Sequence, residues 1–203
     1  METFTADGTN MTEPRLLFIS GSARADSFNK RLAKLGAMIA EANGIKSTFA
    51  DLADYPMPLY DGDLETAEGV PVNARKLLAL MQVHSGVFIA SPEYNASISP
   101  LLKNALDWVS RVREDGAGKA VYTTRVFALG AASPGGTGGM RGLVAVRNVL
   151  EIGLGAVVLP DQVLVARAAT AFDDHGHLAD KDGQERFKVV IQKLARAAHV
   201  LHG

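Results

Sequence analysis

Gly21-Ser22-Ala23-Arg24-Ala25-Asp26-Ser27-Phe28-Asn29 follows a short apolar run at 16–20 and leads into a segment, 29–42, where Leu32, Leu35, Met38 and Ile39 recur at helical spacing. A continuous apolar strand that passes through a small polar loop into an amphipathic helix is the repeating unit of a parallel sheet covered on both faces. The unit recurs at 86–90, where a second apolar run meets Ser91-Pro92-Glu93-Tyr94-Asn95-Ala96-Ser97 and then a helix over 99–113. It recurs again within 120–131, followed by Ser133-Pro134-Gly135-Gly136-Thr137-Gly138-Gly139 and a helix over 140–152.

The remaining segments fit the same alternation. Residues 45–52 alternate like a strand, and 72–84 carry Leu77, Leu78, Leu80 and Met81 at helical spacing. Residues 156–159 predict a fifth strand, with a further piece at 163–165. The proline- and acid-containing stretch 53–70 and the acidic stretch 172–183 are expected as loops, the latter as a hairpin or loop, and a last helix runs to about His199. The expectation is an α/β protein: one doubly wound domain over 14–203, with five parallel strands and helices on both faces, behind a disordered tail at 1–13. In such sheets ligands bind outside the carboxyl ends of the strands, near the switch in strand order, and all three quoted loops lie at such ends.

Composition narrows the ligand. The 203 residues include 21 basic and 22 acidic side chains, for a net charge of −1, which lacks the basic footprint of nucleic-acid binding. The chain has no cysteine, which excludes disulfides, thiolate metal sites and a cysteine nucleophile. Histidines 84, 175, 177, 199 and 202 show no metal-ligand spacing, so no metal is expected. Residues 1–13 have no basic start or apolar core and are not expected to act as a signal peptide, and no apolar run reaches membrane-spanning length, so the expected location is the cytoplasm.

The first loop offers what a phosphate needs at a helix N-terminus: unpaired N–H groups, the Ser22 and Ser27 hydroxyls, the Arg24 guanidinium and the Asn29 amide. The bland alternative is that Ser27 caps the helix and Arg24 is a solvated charge. The second loop is stiffened by Pro92 and presents Tyr94, Glu93 and Asn95, which suits a flat polar ring; its alternative is a well-built turn with Tyr94 on the core. The third loop is rich in glycine and lets backbone approach a ligand. No G-x-x-x-x-G-K-[ST] or G-x-G-x-x-G pattern follows the first strand, and Gly116-Ala117-Gly118-Lys119 is expected as an exposed turn. Trp108 suits either the core or a subunit contact. Arg141, placed against the dipole at a helix start, is expected to meet an anion or an acidic partner subunit.

The segment from Gly21-Ser22 to Asn29, with Leu32-Ala33, resembles the first signature of NADPH-dependent FMN reductases. Pro92-Glu93-Tyr94-Asn95-x-Ser97-x-x-Pro100-x-Leu102-Lys103-Asn104-Ala105-x-Asp107-Trp108 resembles their second, and order and spacing agree over about 14–200. The resemblance implies a flavodoxin-like fold, bound FMN, and NADPH or NADH as co-substrate. It places Ser22, Arg24, Ser27 and Asn29 on the FMN phosphate, and Pro92, Glu93, Tyr94 and Asn95 along the isoalloxazine with Ser97 nearby. Ser133, Gly135 and Gly136 would form the third flavin loop. It further implies a homodimer or homotetramer and ping-pong transfer of electrons to quinones, azo compounds, chromate or free flavin, without an obligatory acid–base side chain. A non-enzymatic flavodoxin-like electron carrier is the rival reading, although such carriers are typically strongly acidic. A phosphatase or receiver domain is disfavoured by the missing cysteine and by Ser20 and Ser91 at strand ends.

Overall fold

The computed structural model describes residues 13–202; the expected tail lies outside them except for Glu13, which pairs with Lys46 at 3.1 Å. Among the described residues seven strands and seven α-helices follow one another: β1 (Arg15–Ser20), α1 (Phe28–Ala42), β2 (Lys46–Asp51), α2 (Gly62–Glu68), α3 (Val72–Gln82), β3 (Gly86–Ala90), β4 (Glu93–Tyr94), β5 (Ser97–Ile98), α4 (Pro100–Ser110), α5 (Ala117–Thr123), β6 (Val126–Ala132), α6 (Met140–Arg147), β7 (Val157–Val165) and α7 (Lys181–His202). Five of the strands form one parallel sheet in the order β2-β1-β3-β6-β7, the flavodoxin-like order, with its switch point between β1 and β3.

Side chains alternate across this sheet and fill two cores. Leu17, Ile19, Val87, Ile89, Phe127 and Leu129 face α3, α4, α5 and α6. Leu16, Phe18, Phe88 and Ala128 face α1 and α7. The second core is tight enough to require glycine: a Cβ on Gly36 of α1 would stand 2.6 Å from the Phe18 ring and 2.9 Å from Phe187.

The structure departs from the sequence reading in four places. The expected loop 53–70 contains α2, which Asp61 caps by accepting from Asp63 N at 2.8 Å. α2 has no fully buried residue and only Leu64 packs against the core, so there is no apolar stripe for periodicity to reveal. Residues 116–119 are not an exposed turn: α5 starts there, and a Cβ on Gly118 would stand 2.4 Å from Val109 O and 2.5 Å from Val112 O. The two pieces expected for the last strand are one strand, β7. It sits at the sheet edge, where Pro160 costs no ladder bond and a register shift opposite Phe127 to Leu129 absorbs the extra residues. The helix starting at Met140 widens into a π-helical turn over Asn148–Gly153.

Trp108 belongs to the core. It is fully buried, donates from Nε1 to Pro58 O at 2.8 Å, and meets the Tyr60 ring edge-on at 5.0 Å. The otherwise irregular 53–61 segment is thereby fastened onto α4.

Candidate active site

Each of the three quoted loops continues the sheet by one backbone hydrogen bond before leaving it. Gly21 N donates to Ala90 O at 2.9 Å, Ser91 N to Gly130 O at 2.8 Å and Ser133 N to Val165 O at 3.0 Å. The loops after β1, β3 and β6 therefore emerge side by side at one end of the sheet, over the switch point. Ser99, a residue the sequence reading did not single out, locks the first two together. Its hydroxyl donates to Gly21 O at 2.7 Å while accepting from Leu102 N at 3.3 Å as the α4 cap. A Cβ on Gly21 would press on Leu102 at 3.1 Å and Pro92 at 3.3 Å, so the close approach of these loops depends on glycine.

In the first loop, Ser27 is the N-cap of α1 and accepts from Asn29 N at 3.2 Å. Ser22 and Ser27 are buried, and the first turn of α1 carries no acidic side chain to neutralise its dipole. Arg24 is exposed, and its guanidinium has no hydrogen-bonding or ionic partner among the described residues. At the root of the loop the Ser20 hydroxyl is fully buried and unpartnered.

Asn29 is largely engaged within the fold. Its Nδ2 donates to Ala132 O at 3.0 Å and its Oδ1 accepts from Ala132 N at 2.9 Å. The amide clasps α1 to the end of β6, and this bond sets the distance between the first and third loops. Lys30, absent from the sequence reading, is also buried here; its Nζ pairs with Asp51 at 2.7 Å and donates to Ala23 O at 3.3 Å. No local motif marks either contact, because the partners come from β6 and β2.

The second loop is a miniature hairpin, β4 against β5, turning through Asn95 at φ 51° and Ala96 at φ 62°. Left-handed backbone at both central positions is the type I′ turn, which matches the twist of the strands it joins. Pro92 is buried, Tyr94 is 46% exposed, and Asn95 and Ser97 are exposed at the tip. Glu93 turns away to α6: its carboxylate accepts from Arg141 Nε at 2.9 Å, from Arg141 Nη2, and from Gly142 N at 3.0 Å. Burial raises the Glu93 pKa, but the Gly142 N–H and the Arg141 guanidinium outweigh it and hold the carboxyl below its ordinary value. The acid that Arg141 was expected to find in a ligand or partner subunit stands in its own chain.

In the third loop, Ser133 is half-buried and its hydroxyl accepts from Gly135 N at 3.3 Å. Gly135 and Gly136 are exposed, and nothing lies within 4 Å of a Cβ placed on Gly136, so their backbone is open to a ligand. The site thus combines an uncompensated helix N-terminus, paired hydroxyls and a partnerless guanidinium with a stiff hairpin that shows an aromatic face. Those residues fit a phosphorylated planar cofactor such as FMN.

This sheet order with this set of loops defines a flavodoxin-like nucleotide-cofactor protein. The profile of the NADPH-dependent FMN reductase family matches residues 14–170, and the chain belongs to that family. It is an FMN-dependent NAD(P)H oxidoreductase. An NADPH:quinone oxidoreductase of Arabidopsis thaliana is 31% identical over 186 residues, covering 89% of each chain. An NAD(P)H-dependent FMN reductase of Pseudomonas aeruginosa is 30% identical over 192 residues, covering 93% of this chain and 97% of its own. Among solved structures, the flavoenzyme NAD(P)H:(acceptor) oxidoreductase from Paracoccus denitrificans superposes with a TM-score of 0.75 at 25% identity, covering 94% of this chain and 99% of that one.

Proposed function

We propose that the three loops hold FMN with its phosphate at the start of α1 and its ring against the 93–98 hairpin, and that the enzyme reduces quinone-type acceptors at the expense of NAD(P)H. The observation that carries this reading is the open α1 N-terminus with partnerless Arg24, set beside the exposed hairpin tip. FMN, when bound, supplies the redox chemistry, accepting hydride from nicotinamide and passing electrons to the second substrate.

The chain's own residues bind and orient. Ser22, Ser27 and the α1 N–H groups surround the phosphate, Arg24 supplies a charged fork, and the remaining Nδ2 hydrogen of Asn29 is its only spare donor. Main-chain groups of 93–95 and 135–136, with Tyr94, flank the ring, while the Glu93 carboxylate fixes the hairpin through Arg141 and Gly142. Pro92, Asn95, Ser97 and Ser133 complete the enclosure. No protein side chain is required as acid or base, and in this reading the two substrates use the same open face in turn, which is ping-pong behaviour.

Steady-state oxidation of NADPH by the FMN-loaded protein with benzoquinone tests the reading. Parallel lines in double-reciprocal plots at several quinone concentrations are expected; intersecting lines would refute the alternating use of one face, and an inert holoprotein would refute the activity. Azo compounds, chromate and free flavin belong to the same acceptor panel. The proposal includes a homodimer or homotetramer, supported by Met140 and Val144, 45% and 62% exposed on α6 beside the hairpin. It also includes a cytoplasmic location, where reduced nicotinamide is supplied. Light scattering and cell fractionation test these two points.

A further inference from the structure

Arg167, on the turn after β7, holds its backbone at φ 49°. That left-handed conformation burdens any residue with a Cβ and suits glycine. The turn is pinned there: Arg167 N donates to Gly135 O at 3.3 Å, Ala168 N to Ser133 O at 3.0 Å, and Thr170 N to Arg167 O at 3.1 Å. The same segment is stitched to α1, since Arg31 donates to Asp173 O at 3.2 Å and its guanidinium lies 4.7 Å from the Phe172 ring centre. The Arg167 turn is therefore bonded to the glycine-rich loop, and the segment that follows it is fastened to the helix whose N-terminus forms the candidate phosphate seat.

Its charge is uncompensated. Among the neighbouring cations, Lys30 is paired with Asp51, Arg141 with Glu93, and Arg31 is engaged as above. Arg167, like Arg24, is exposed and has no partner for its guanidinium among the described residues. A strained backbone that carries a free planar cation at the rim of a cofactor site marks a recognition position.

We propose that Arg167 is a phosphate-recognition residue, specific for a phosphate monoester dianion. This inference rests on the FMN reading above. Two groups in the reaction carry that chemistry, the FMN 5′-phosphate and the 2′-phosphate of NADPH, and two arms of one experiment separate them. Arg167→Gly removes the charge while suiting the left-handed backbone, and Arg167→Lys keeps the charge. For each protein the FMN-to-riboflavin affinity ratio is measured by flavin titration of the deflavinated protein, and the NADPH-to-NADH ratio of kcat/KM on the holoenzyme. Thermal melting of Arg167→Gly, expected at or above wild type, confirms that it folds.

A fall of about tenfold in the first ratio assigns Arg167 to the flavin phosphate, and a like fall in the second assigns it to the nicotinamide nucleotide, with partial recovery in Arg167→Lys. Wild-type values of both ratios in Arg167→Gly overturn the assignment. A wild-type protein that does not bind FMN overturns the cofactor reading and this inference with it, so the two failures are distinct.

Discussion

Glu93 and Gly142 are joined by a 3.0 Å hydrogen bond from the Gly142 N–H to the Glu93 carboxylate, and a Cβ on Gly142 would stand 3.0 Å from Glu93 Cβ. Together with Arg141, this contact makes the β4–β5 hairpin and the first turn of α6 one mechanical piece. The second and third loops therefore keep a fixed spacing, as any flat ring between them requires.

Glu93→Gln keeps an acceptor for Gly142 N but loses the charge that Arg141 faces. Because the folded-state pKa of Glu93 is lowered, its stabilising contribution is present above the ordinary glutamate range and is lost as pH falls through the folded value. The wild type is thus expected to lose stability on acidification more steeply than Glu93→Gln below about pH 5. Melting temperatures of both proteins from pH 3 to 8 check this; superimposable slopes would show that the pair carries no linkage.

Asn29→Ala is expected to cost about 2–3 kcal/mol, since it removes two hydrogen bonds and leaves the buried Ala132 N–H and C=O unpaired. Urea denaturation gives the value, and a loss under about 0.5 kcal/mol, the size of a typical neutral surface change, would contradict the clasp. FMN affinity should fall as well, because the first and third loops lose their spacing.

Asn29 also shows how far the sequence carries the fold and where it stops. The apolar strands 16–20 and 86–90 reveal themselves because each is buried on both faces, and the loops at their carboxyl ends follow from sheet geometry. Asn29 lies where the first loop enters α1, yet its side chain is directed by Ala132, a residue 103 positions away that leaves no trace in the local pattern. The same holds for Lys30 with Asp51 and for Glu93 with Arg141: residue type and neighbourhood were readable, but pairings across the sheet were not. α2 stayed hidden for a different reason, namely that none of its residues is fully buried and Leu64 alone packs against the core.

Ala96→Gly is expected to stabilise the protein by about 0.5–1 kcal/mol. At φ 62° alanine pays the left-handed penalty of about 1–2 kcal/mol, partly offset because glycine makes the unfolded chain more flexible. Asn95 tolerates the same region through its short polar side chain and needs no relief. Chemical denaturation is the measurement, and a destabilised Ala96→Gly would mean that the turn is not strained.

His84 supplies a second pH dependence, far from the site. Its Nδ1 lies 2.7 Å from Leu80 O, which fixes the proton on that nitrogen, and Nε2 accepts from Thr48 Oγ1 at 2.8 Å. Burial, helped by Arg15 and Arg125, lowers its pKa. The fold therefore favours neutral imidazole, and stability present above the unfolded value near 6.5 is lost as pH falls toward the folded value. His84→Gln should flatten the stability profile between about pH 7 and pH 5, a window separate from that of Glu93. An unchanged profile would mean that the ring takes up its proton as readily in the fold as in water.

Arg24→Ala isolates the charge at the α1 N-terminus. The guanidinium is exposed and has no partner among the described residues, so its removal disturbs no contact within them and should leave the melting temperature of the flavin-free protein within a degree or so. FMN affinity should fall by about 1.5–3 kcal/mol, roughly tenfold to a hundredfold, the range for a charged hydrogen bond. Riboflavin, which lacks the phosphate, should bind both proteins alike. An equal loss for the two flavins would instead place Arg24 against the ring or ribityl chain, and an unchanged FMN affinity would leave the phosphate to Ser22, Ser27 and the helix N–H groups without Arg24.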